Sequence, residues 1–189
     1  AREMCIRDRL YTAVDVQDER QLAFYEHNGF KMDYTEDLVR LNDPDEVPQL
    51  FNCSCITLPL NTVQEQMDLV SRMRGAGFSY FDHGFLLQQM NRQNFAALGI
   101  LYGSNLVGAC VAAGQYTSAE VMGLYIVPEF QRKGLGTRLL QQTKQALAST
   151  GVTDLTMRVM SDSEPQVRLV QRFRAELVEH TSVFPSMQI

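Results

Sequence analysis

One short passage of the sequence has residue types and spacing that suit anion binding. Residues 131–136 read Gln-Arg-Lys-Gly-Leu-Gly and stand between an apolar run and a run with helical periodicity. Backbone N–H groups that open a helix have no intrahelical acceptor and lie at the positive end of the helix dipole, so they bind phosphate oxygens. The glycines remove Cβ atoms that would block a close approach. The passage therefore predicts a diphosphate site made of backbone amides.

Two other glycine-rich phosphate loops do not fit this spacing. A Walker A loop ends in Gly-Lys-Ser/Thr, whereas Lys133 precedes its glycine here. A dinucleotide-binding turn requires a third glycine, but that position is Leu139. Six residues also separate Val127 from Gly134, which is too many for the tight strand-to-helix turn of that fold. Neither of these nucleotide-binding classes is indicated.

The elements around the loop predict a mixed α/β fold. Residues 121–127 are apolar at both alternating positions, as in a strand buried on both faces, and residues 134–150 carry an apolar stripe of helical period. A tight-turn signal between the apolar runs 95–102 and 106–113 predicts an antiparallel hairpin. The other predicted elements are strands at 55–60, 155–160 and 178–184, and helices at 62–74, 84–93 and 164–174. We expect a central, mostly antiparallel sheet with helices on both faces.

The first part of the chain reads as a separate piece. It predicts a strand at 10–16, a helix at 18–28 with Asp18 as its N-cap, and a strand at 30–41. An acidic, proline-bearing stretch at 41–48 then has the composition of a linker. The sequence therefore divides into residues 1–40, a linker at 41–48 and a domain at 49–189.

The passage at 125–140, from Tyr125 to Leu140, resembles motif A of the GNAT superfamily of acyl-CoA N-acyltransferases, with the pattern Gln/Arg-x-x-Gly-x-Gly/Ala. The resemblance implies acetyl-CoA as co-substrate, with its pyrophosphate on the backbone of residues 132–137. It also implies that the edge of the preceding strand binds the pantetheine arm. The implied cofactor-binding residues are Ile126, Val127, Gln131, Arg132, Lys133, Gly134, Leu135, Gly136 and Thr137.

The N-terminal piece resembles a different part of the same family. Residues 24–30, Phe-Tyr-Glu-His-Asn-Gly-Phe, are similar to motif B, which closes such a domain. The resemblance implies that residues 1–40 are the C-terminal fragment of a preceding GNAT-like domain. The alternative is an adjunct that packs against the following domain, since forty residues do not bury a core alone. Either a missing tandem domain or a second copy of the chain is the expected protein partner.

The same resemblance assigns roles in acyl transfer. Glu120, at the start of the motif A strand, is the implied base that removes a proton from the acceptor amine. A tyrosine in motif B would protonate the departing thiolate, but the last helix of the domain has Arg172 or Phe173 there, depending on alignment. Tyr25 fits the motif only in the N-terminal piece. His83 and Tyr116, near element ends, are candidates for an acceptor pocket.

The amino-acid composition limits the kinds of partner that the protein is expected to bind. A net charge of −5 argues against nucleic acid, which requires a broad excess of Lys and Arg. No run is long and apolar enough for a membrane span, and no signal peptide is recognisable, so a cytoplasmic protein is expected. The single Cys-x-Cys pair has no histidines nearby and predicts no metal site.

The sequence thus predicts an N-acetyltransferase that acts on a primary amine of a small molecule or peptide by direct attack in a ternary complex. The alternative is a non-catalytic domain that has a structural or CoA-binding role in a tandem protein. The missing tyrosine favours the alternative, and the intact loop favours the enzyme.

Overall fold

The computed structural model describes residues 9–188, and that part of the chain forms nine strands and five α-helices. It clusters into two compact units that interleave along the sequence. Unit 1 runs to Arg40 and includes Arg158–Gln171 and the chain from Ala175, whereas unit 2 comprises Leu41–Met157 and Arg172–Arg174. The first eight residues of the predicted N-terminal piece lie outside the described residues. The prediction of a mixed α/β fold, with a mostly antiparallel sheet flanked by helices, is confirmed.

Unit 2 contains the elements around the glycine-bearing loop. Its strands are ordered β8-β7-β6-β5-β4, antiparallel except for the parallel pair β7–β8. The predicted hairpin joins β5 to β6, and Gly103 adopts φ +60° in its turn. The elements are β4 (Cys53–Thr57), α2 (Val63–Gly75), α3 (His83–Met90), β5 (Asn94–Tyr102), β6 (Asn105–Gln115), β7 (Ser118–Ile126), a 3-10 turn (Pro128–Phe130), α4 (Leu135–Ala148) and the first residues of β8 (Asp154–Met160).

Helices cover both faces of the unit 2 sheet, as predicted. On β6, the fully buried Cys110 lies next to Thr143 of α4, so this face packs on α4. Its neighbour Val111 points to the other face and belongs to a buried cluster with Met73 of α2 and Leu86 of α3. Successive strand residues alternate between faces, which explains why this central strand has no polar side chain from Leu106 to Ala113.

The helices of unit 2 begin where the sequence provides caps. Thr62 accepts a hydrogen bond from the Glu65 amide, and the Glu65 carboxylate accepts one from the Thr62 amide in return, forming a capping box. Asp82 caps α3 by accepting from the amide of Phe85. Helix α3 ends at Met90, three residues before the predicted end. The Asp82 cap fixes the end of the segment between α2 and α3, and this segment contributes to the site below.

Unit 1 is built on one long strand. Its β9 (Glu176–Gln188) pairs antiparallel with β1 (Arg9–Tyr11), β2 (Val14–Asp15) and β3 (Lys31–Arg40). The prediction of a single strand at 10–16 is thus wrong in one respect, because the strand is interrupted at residues 12 and 13. Thr12 falls opposite Pro185 in the shared register, and proline has no N–H for the ladder.

Two helices complete unit 1. Helix α1 (Glu19–His27) begins at Asp18, whose carboxylate accepts from the Gln21 amide, and ends before Gly29 at φ +82°, as predicted. Helix α5 (Glu164–Arg172) is shorter than predicted, since it ends at Arg172. No residue of α1 is buried.

Candidate functional site

The loop before α4 presents a row of unpaired amides. Gly134 caps the helix with φ +83°, and the first helical bond runs from the Arg138 amide to the Gly134 carbonyl at 3.1 Å. Throughout residues 9–188, the amides of residues 133–137 find no protein acceptor. These five N–H groups lie at the positive end of a 14-residue helix, the arrangement that binds phosphate oxygens.

Side chains of the loop hold its shape. Lys133 Nζ donates to the Glu129 carbonyl at 2.9 Å and lies 5.0 Å from the centroid of the Phe130 ring. Gln131 Nε2 donates to the Ile126 carbonyl at 2.8 Å. Gln131 and Lys133 thus each donate to the backbone of this passage, and the backbone N–H groups provide further donors that can bind a diphosphate.

Gly134 has a local structural reason to be glycine. A Cβ built on it would lie 2.8 Å from Cγ and 2.9 Å from Cβ of Pro48, in the segment predicted as a linker. Its positive φ also favours glycine. The missing side chain therefore makes room for Pro48, whereas the sequence analysis explained this glycine by the approach of a phosphate.

The edge of β7 next to the loop is open. The parallel register with β8 covers four pairs and ends at Val121 opposite Met157, so residues 122–126 extend beyond it. The Val127 amide donates to the Val107 carbonyl at 2.9 Å. Because antiparallel pairs alternate, Leu124 and Ile126 direct their N–H and C=O groups away from β6, towards the open edge. An extended chain can pair there.

The residues on this edge differ from those named by sequence. Both main-chain groups of Val127 are engaged, because its carbonyl accepts from the Phe130 amide at 2.9 Å. The Ile126 carbonyl accepts from Gln131, which leaves the Ile126 amide and both groups of Leu124. Sequence reasoning missed Leu124. The signal that could have found it is the two-residue period of a strand, counted back from Ile126.

A β-bulge brings Glu120 to the face covered by α2 and α3. The register passes from Val111 opposite Gly123 to Ala112 opposite Val121, so Met122 is the extra residue. Glu120 lies opposite Ala113, on the same face as Val111 and its buried cluster. Without the bulge, Glu120 would lie on the α4 face. The half-buried carboxylate is thus two residues from the bulge and next to the end of the β7–β8 ladder.

Tyr80 is a second residue that the sequence analysis missed. Its hydroxyl donates to the carbonyl of Met122, the bulged residue, at 2.7 Å. The ring of Tyr80 lies edge-on to Phe78 and Phe85, with centroids 6.0 and 5.5 Å away. No sequence signal distinguishes Tyr80 from other loop tyrosines, because the contact depends on the path of the segment between α2 and α3.

Two residues predicted for an acceptor pocket have other environments. His83 Nε2 lies 2.7 Å from Gln66 Oε1, and Gln66 Nε2 donates to the Leu60 carbonyl, so His83 is the donor in this contact. Tyr116 lies in the β6–β7 turn with φ +55° and is 78% exposed, at the end of β7 remote from the loop. The structure does not bring Tyr116 to the open edge.

The two alternatives for the motif B tyrosine are also located. Arg172 is exposed at the end of α5, and Phe173 is fully buried. Neither carries a hydroxyl. On β7 itself, burial raises the pKa of Tyr125, and the positive charge of Arg72 opposes that rise. The buried Tyr125 hydroxyl has no hydrogen-bond partner within the described residues.

Neither a metal centre nor a membrane span is present in the described residues. No group of three or more His, Cys, Asp and Glu side chains between residues 9 and 188 could hold a metal ion. Within the same range, no helix is both long and apolar enough to cross a bilayer.

The open edge of β7 leads into the row of unpaired amides before α4. An extended ligand with a phosphate end could fit this arrangement. The sequence model of the acetyltransferase (GNAT) family matches residues 64–174, which is more than half of the chain. The chain belongs to this family.

Solved structures with the same fold are distant in sequence. A GCN5-related N-acetyltransferase from Sphaerobacter thermophilus is 13% identical, with a TM-score of 0.69 over 95% of this chain and 59% of that one. A tandem GNAT protein from the clavulanic acid biosynthesis pathway is 20% identical, with a TM-score of 0.65 over 96% of this chain and 64% of that one. The ribosomal-protein-S18-alanine N-acetyltransferase from Escherichia coli is 11% identical, with a TM-score of 0.55 over 72% and 94%.

These likenesses show the fold alone. The chain spans less than two thirds of the length of the first two proteins. No curated protein sequence matches the chain.

Proposed function

We propose that this chain transfers an acetyl group from acetyl-CoA to a primary amine of a small molecule or peptide, by direct attack within a ternary complex. The observation that carries the proposal is the continuity of the open β7 edge with the free amides of residues 133–137. Family membership gives the reaction class, and the site geometry supports the donor.

The two parts of the site match the two chemical parts of the donor. The diphosphate of acetyl-CoA is an anion, and five helix-start amides offer it hydrogen bonds without a basic side chain. The pantetheine arm is an extended chain with two amide groups. It would pair with Ile126 and Leu124 as an additional strand does, since each exposes main-chain groups on the open edge.

This placement puts the thioester near the bulge. If the diphosphate lies at the loop, the arm runs from Ile126 past Leu124 towards Met122. The thioester carbonyl then meets the Leu124 amide, which would stabilise the oxyanion that forms during attack. Glu120, two residues beyond Met122, would accept the proton that the amine loses.

The acceptor class rests on analogy with similar folds. An aminoglycoside acetyltransferase, solved with sisomicin bound, has a TM-score of 0.53 to this chain. The Escherichia coli enzyme acts on the alanine of a ribosomal protein. Small-molecule and peptide amines are therefore both candidates, and a panel of such amines with detection of released thiol would decide between them.

Binding of the donor is the first test. At a hundred times its dissociation constant, acetyl-CoA should stabilise the chain by about 2.7 kcal/mol in thermal unfolding. Acetyl-pantetheine, which lacks the diphosphate, should give a much smaller shift at the same concentration. No shift with acetyl-CoA from a folded protein would refute the donor assignment.

A matched pair of variants tests the amides directly. Gly136→Ala adds a side chain and keeps the N–H, whereas Gly136→Pro adds a side chain and removes it. Proline is tolerated in the first turn of a helix, where the N–H has no intrahelical acceptor. We expect Gly136→Pro to bind acetyl-CoA about tenfold more weakly than Gly136→Ala, the effect of one lost hydrogen bond to a charged group. Equal affinities in calorimetry would exclude this amide from the site.

The second candidate is a domain that binds acetyl-CoA without catalysis. It is favoured by Arg172 and Phe173, which supply no hydroxyl where the family resemblance places a tyrosine. Under this alternative the chain shows the thermal shift but releases no thiol with any amine. Amine-dependent thiol release would exclude it.

A further inference from the structure

We propose that Tyr80 is the proton donor to the departing thiolate, in place of the tyrosine that the last helix of the domain lacks. The inference rests on the proposed function and assigns a residue that is not in the last helix. The geometry that points to it is the hydrogen bond from the Tyr80 hydroxyl to the Met122 carbonyl, at the bulge of β7.

The position of the hydroxyl fits the position of the sulfur. Beyond the diphosphate, the pantetheine arm has two amides, which pair with the Ile126 amide and the Leu124 carbonyl and leave the Leu124 amide to the thioester carbonyl. The short segment that follows the second amide ends in the sulfur, so the sulfur comes to the edge next to Met122. A strand advances about 3.3 Å per residue, so this end of the arm and the Met122 carbonyl are within one or two residues of each other.

Tyr80 is held at this point by its surroundings. Phe81, the next residue, is fully buried and anchors the segment between α2 and α3. The amide of Asp82 donates to the Tyr80 carbonyl at 3.0 Å, and the Phe78 and Phe85 rings contact the Tyr80 ring edge-on. The side chain is nonetheless 44% exposed, so a substrate that enters from solvent can reach its hydroxyl.

The hydrogen bond to the Met122 carbonyl prepares the Tyr80 hydroxyl to donate its proton. A carbonyl accepts the hydrogen bond and takes no proton, so this contact holds the hydroxyl in the role of donor. Rotation about the Cζ–O bond redirects the O–H from the Met122 carbonyl to a thiolate beside it, without movement of the ring. The bulge therefore supplies a resting position for the donor next to the leaving group.

The proposed step balances in atoms and charge. The neutral amine attacks the thioester carbon, and Glu120 takes one proton from the nitrogen of the tetrahedral intermediate. The C–S bond then breaks, its electron pair goes to sulfur, and the Tyr80 O–H gives its proton to that sulfur. Products are the acetylated amine and CoA thiol. The proton held by Glu120 returns through solvent to the Tyr80 oxygen, which restores both groups.

The test compares Tyr80→Phe with Tyr116→Phe, which removes a hydroxyl from an exposed residue of the β6–β7 turn. Both variants are assayed with acetyl-CoA and with the acetyl selenoester of seleno-CoA. A selenol is much more acidic than a thiol, so a selenolate leaves without being protonated. We expect Tyr80→Phe to lower kcat about a hundredfold with acetyl-CoA and less than about threefold with the selenoester, at unchanged acetyl-CoA affinity. Tyr116→Phe should match the wild type with both donors.

The outcomes separate this proposal from the proposed function. Wild-type turnover with no effect of Tyr80→Phe, or with an equal loss on both donors, would overturn the role of Tyr80 and leave the transferase intact. An equal loss would mean that the hydroxyl only holds the bulge through Met122. Absence of wild-type turnover with any amine would remove the transferase, and the role of Tyr80 with it.

Discussion

Glu120 is two residues from the bulged Met122, on the face of the sheet covered by α2 and α3. Its neighbours in the sequence, Ala119 and Val121, are buried, whereas Glu120 itself is only partly buried. A carboxylate in this place can accept a proton from an amine that approaches the open edge of β7. The residue type could be read from the sequence, but the face on which it lies depends on the bulge.

Glu120→Gln keeps the shape of the side chain and removes the base. We expect kcat to fall by about 10² to 10⁴ near neutral pH. The loss should shrink at high pH, where hydroxide from solvent can remove the proton that Glu120 otherwise takes from the attacking nitrogen. A pH–rate profile of the variant measures this, with Glu179→Gln in exposed β9 as the control. A profile parallel to the wild type would exclude Glu120 as the base.

Cys110 should be inert in the folded protein. Its thiol is fully buried on β6, and burial raises its pKa to about 12, with the hydrogen bond from Thr143 acting in the opposite direction. At pH 8, only roughly 10⁻⁴ of such a thiol is thiolate, the reactive form. Iodoacetamide at pH 8, followed by peptide mass spectrometry, should label Cys110 only after denaturation. Labelling at the same rate in the native and denatured protein would contradict its burial.

At the scale of elements, the loop before α4 depends on the segment that the sequence analysis treated as a linker. Pro48 occupies the space beside Gly134 that a side chain would fill. In the same segment, Asp43 pairs with Lys144 of α4 at 2.8 Å, and Asp45 pairs with Arg174. Composition alone indicates a linker there, whereas these contacts pack the segment against α4, its loop and Arg174.

Gly134→Ala should therefore cost more than an ordinary glycine replacement. Alanine is strained at φ +83°, and its Cβ would collide with Pro48. We expect a loss of about 2 to 4 kcal/mol in urea unfolding, against about 1 to 2 kcal/mol for Gly151→Ala, at φ +95° with no atom within 4 Å of its Cβ. Combining Gly134→Ala with Pro48→Gly should recover the difference. Equal losses of stability at the two glycines would show that Pro48 moves aside without a measurable cost.

At the scale of the whole molecule, the Asp43–Lys144 pair predicts a small pH dependence of stability. The hydrogen bond from Lys144 and its charge lower the pKa of Asp43 below its ordinary value. A carboxyl group whose pKa is lower in the folded than in the unfolded protein stabilises the fold at pH values above the unfolded-state pKa of about 3.9. This contribution is lost as the pH falls through the folded-state pKa. The Asp43 side chain is 81% exposed, so solvent screening holds the contribution below about 1 kcal/mol.

Asp43→Asn removes this contribution. The variant should be less stable than the wild type by under about 1 kcal/mol at pH 6, with the difference vanishing at pH 2 to 3 and shrinking in high salt. Urea unfolding across this pH range measures it, with Glu46→Gln in the same segment as the control. A difference that persists at pH 2 would mean that Asp43 acts through a contact other than the charge pair.

The sequence alone determined the helix and strand periods, the cap at Asp18, and the loop that opens α4. These depend on contacts within a few residues, and local residue types decide them. It also indicated the family, because the glycine loop and its flanking strand and helix form one continuous passage.

Which groups of that passage are free depends on tertiary contacts that the sequence does not show. Pairing with β6, far along the chain, engages the Val127 amide, leaves the main-chain groups of Leu124 open and sets the face on which Glu120 lies. The contact of Tyr80 with Met122 likewise joins segments that are distant in sequence. A register shift of one residue moves every later side chain to the opposite face and every later amide to the opposite edge. No local pattern encodes such a shift, because the bulge at Met122 forms only when β6 and β7 pair.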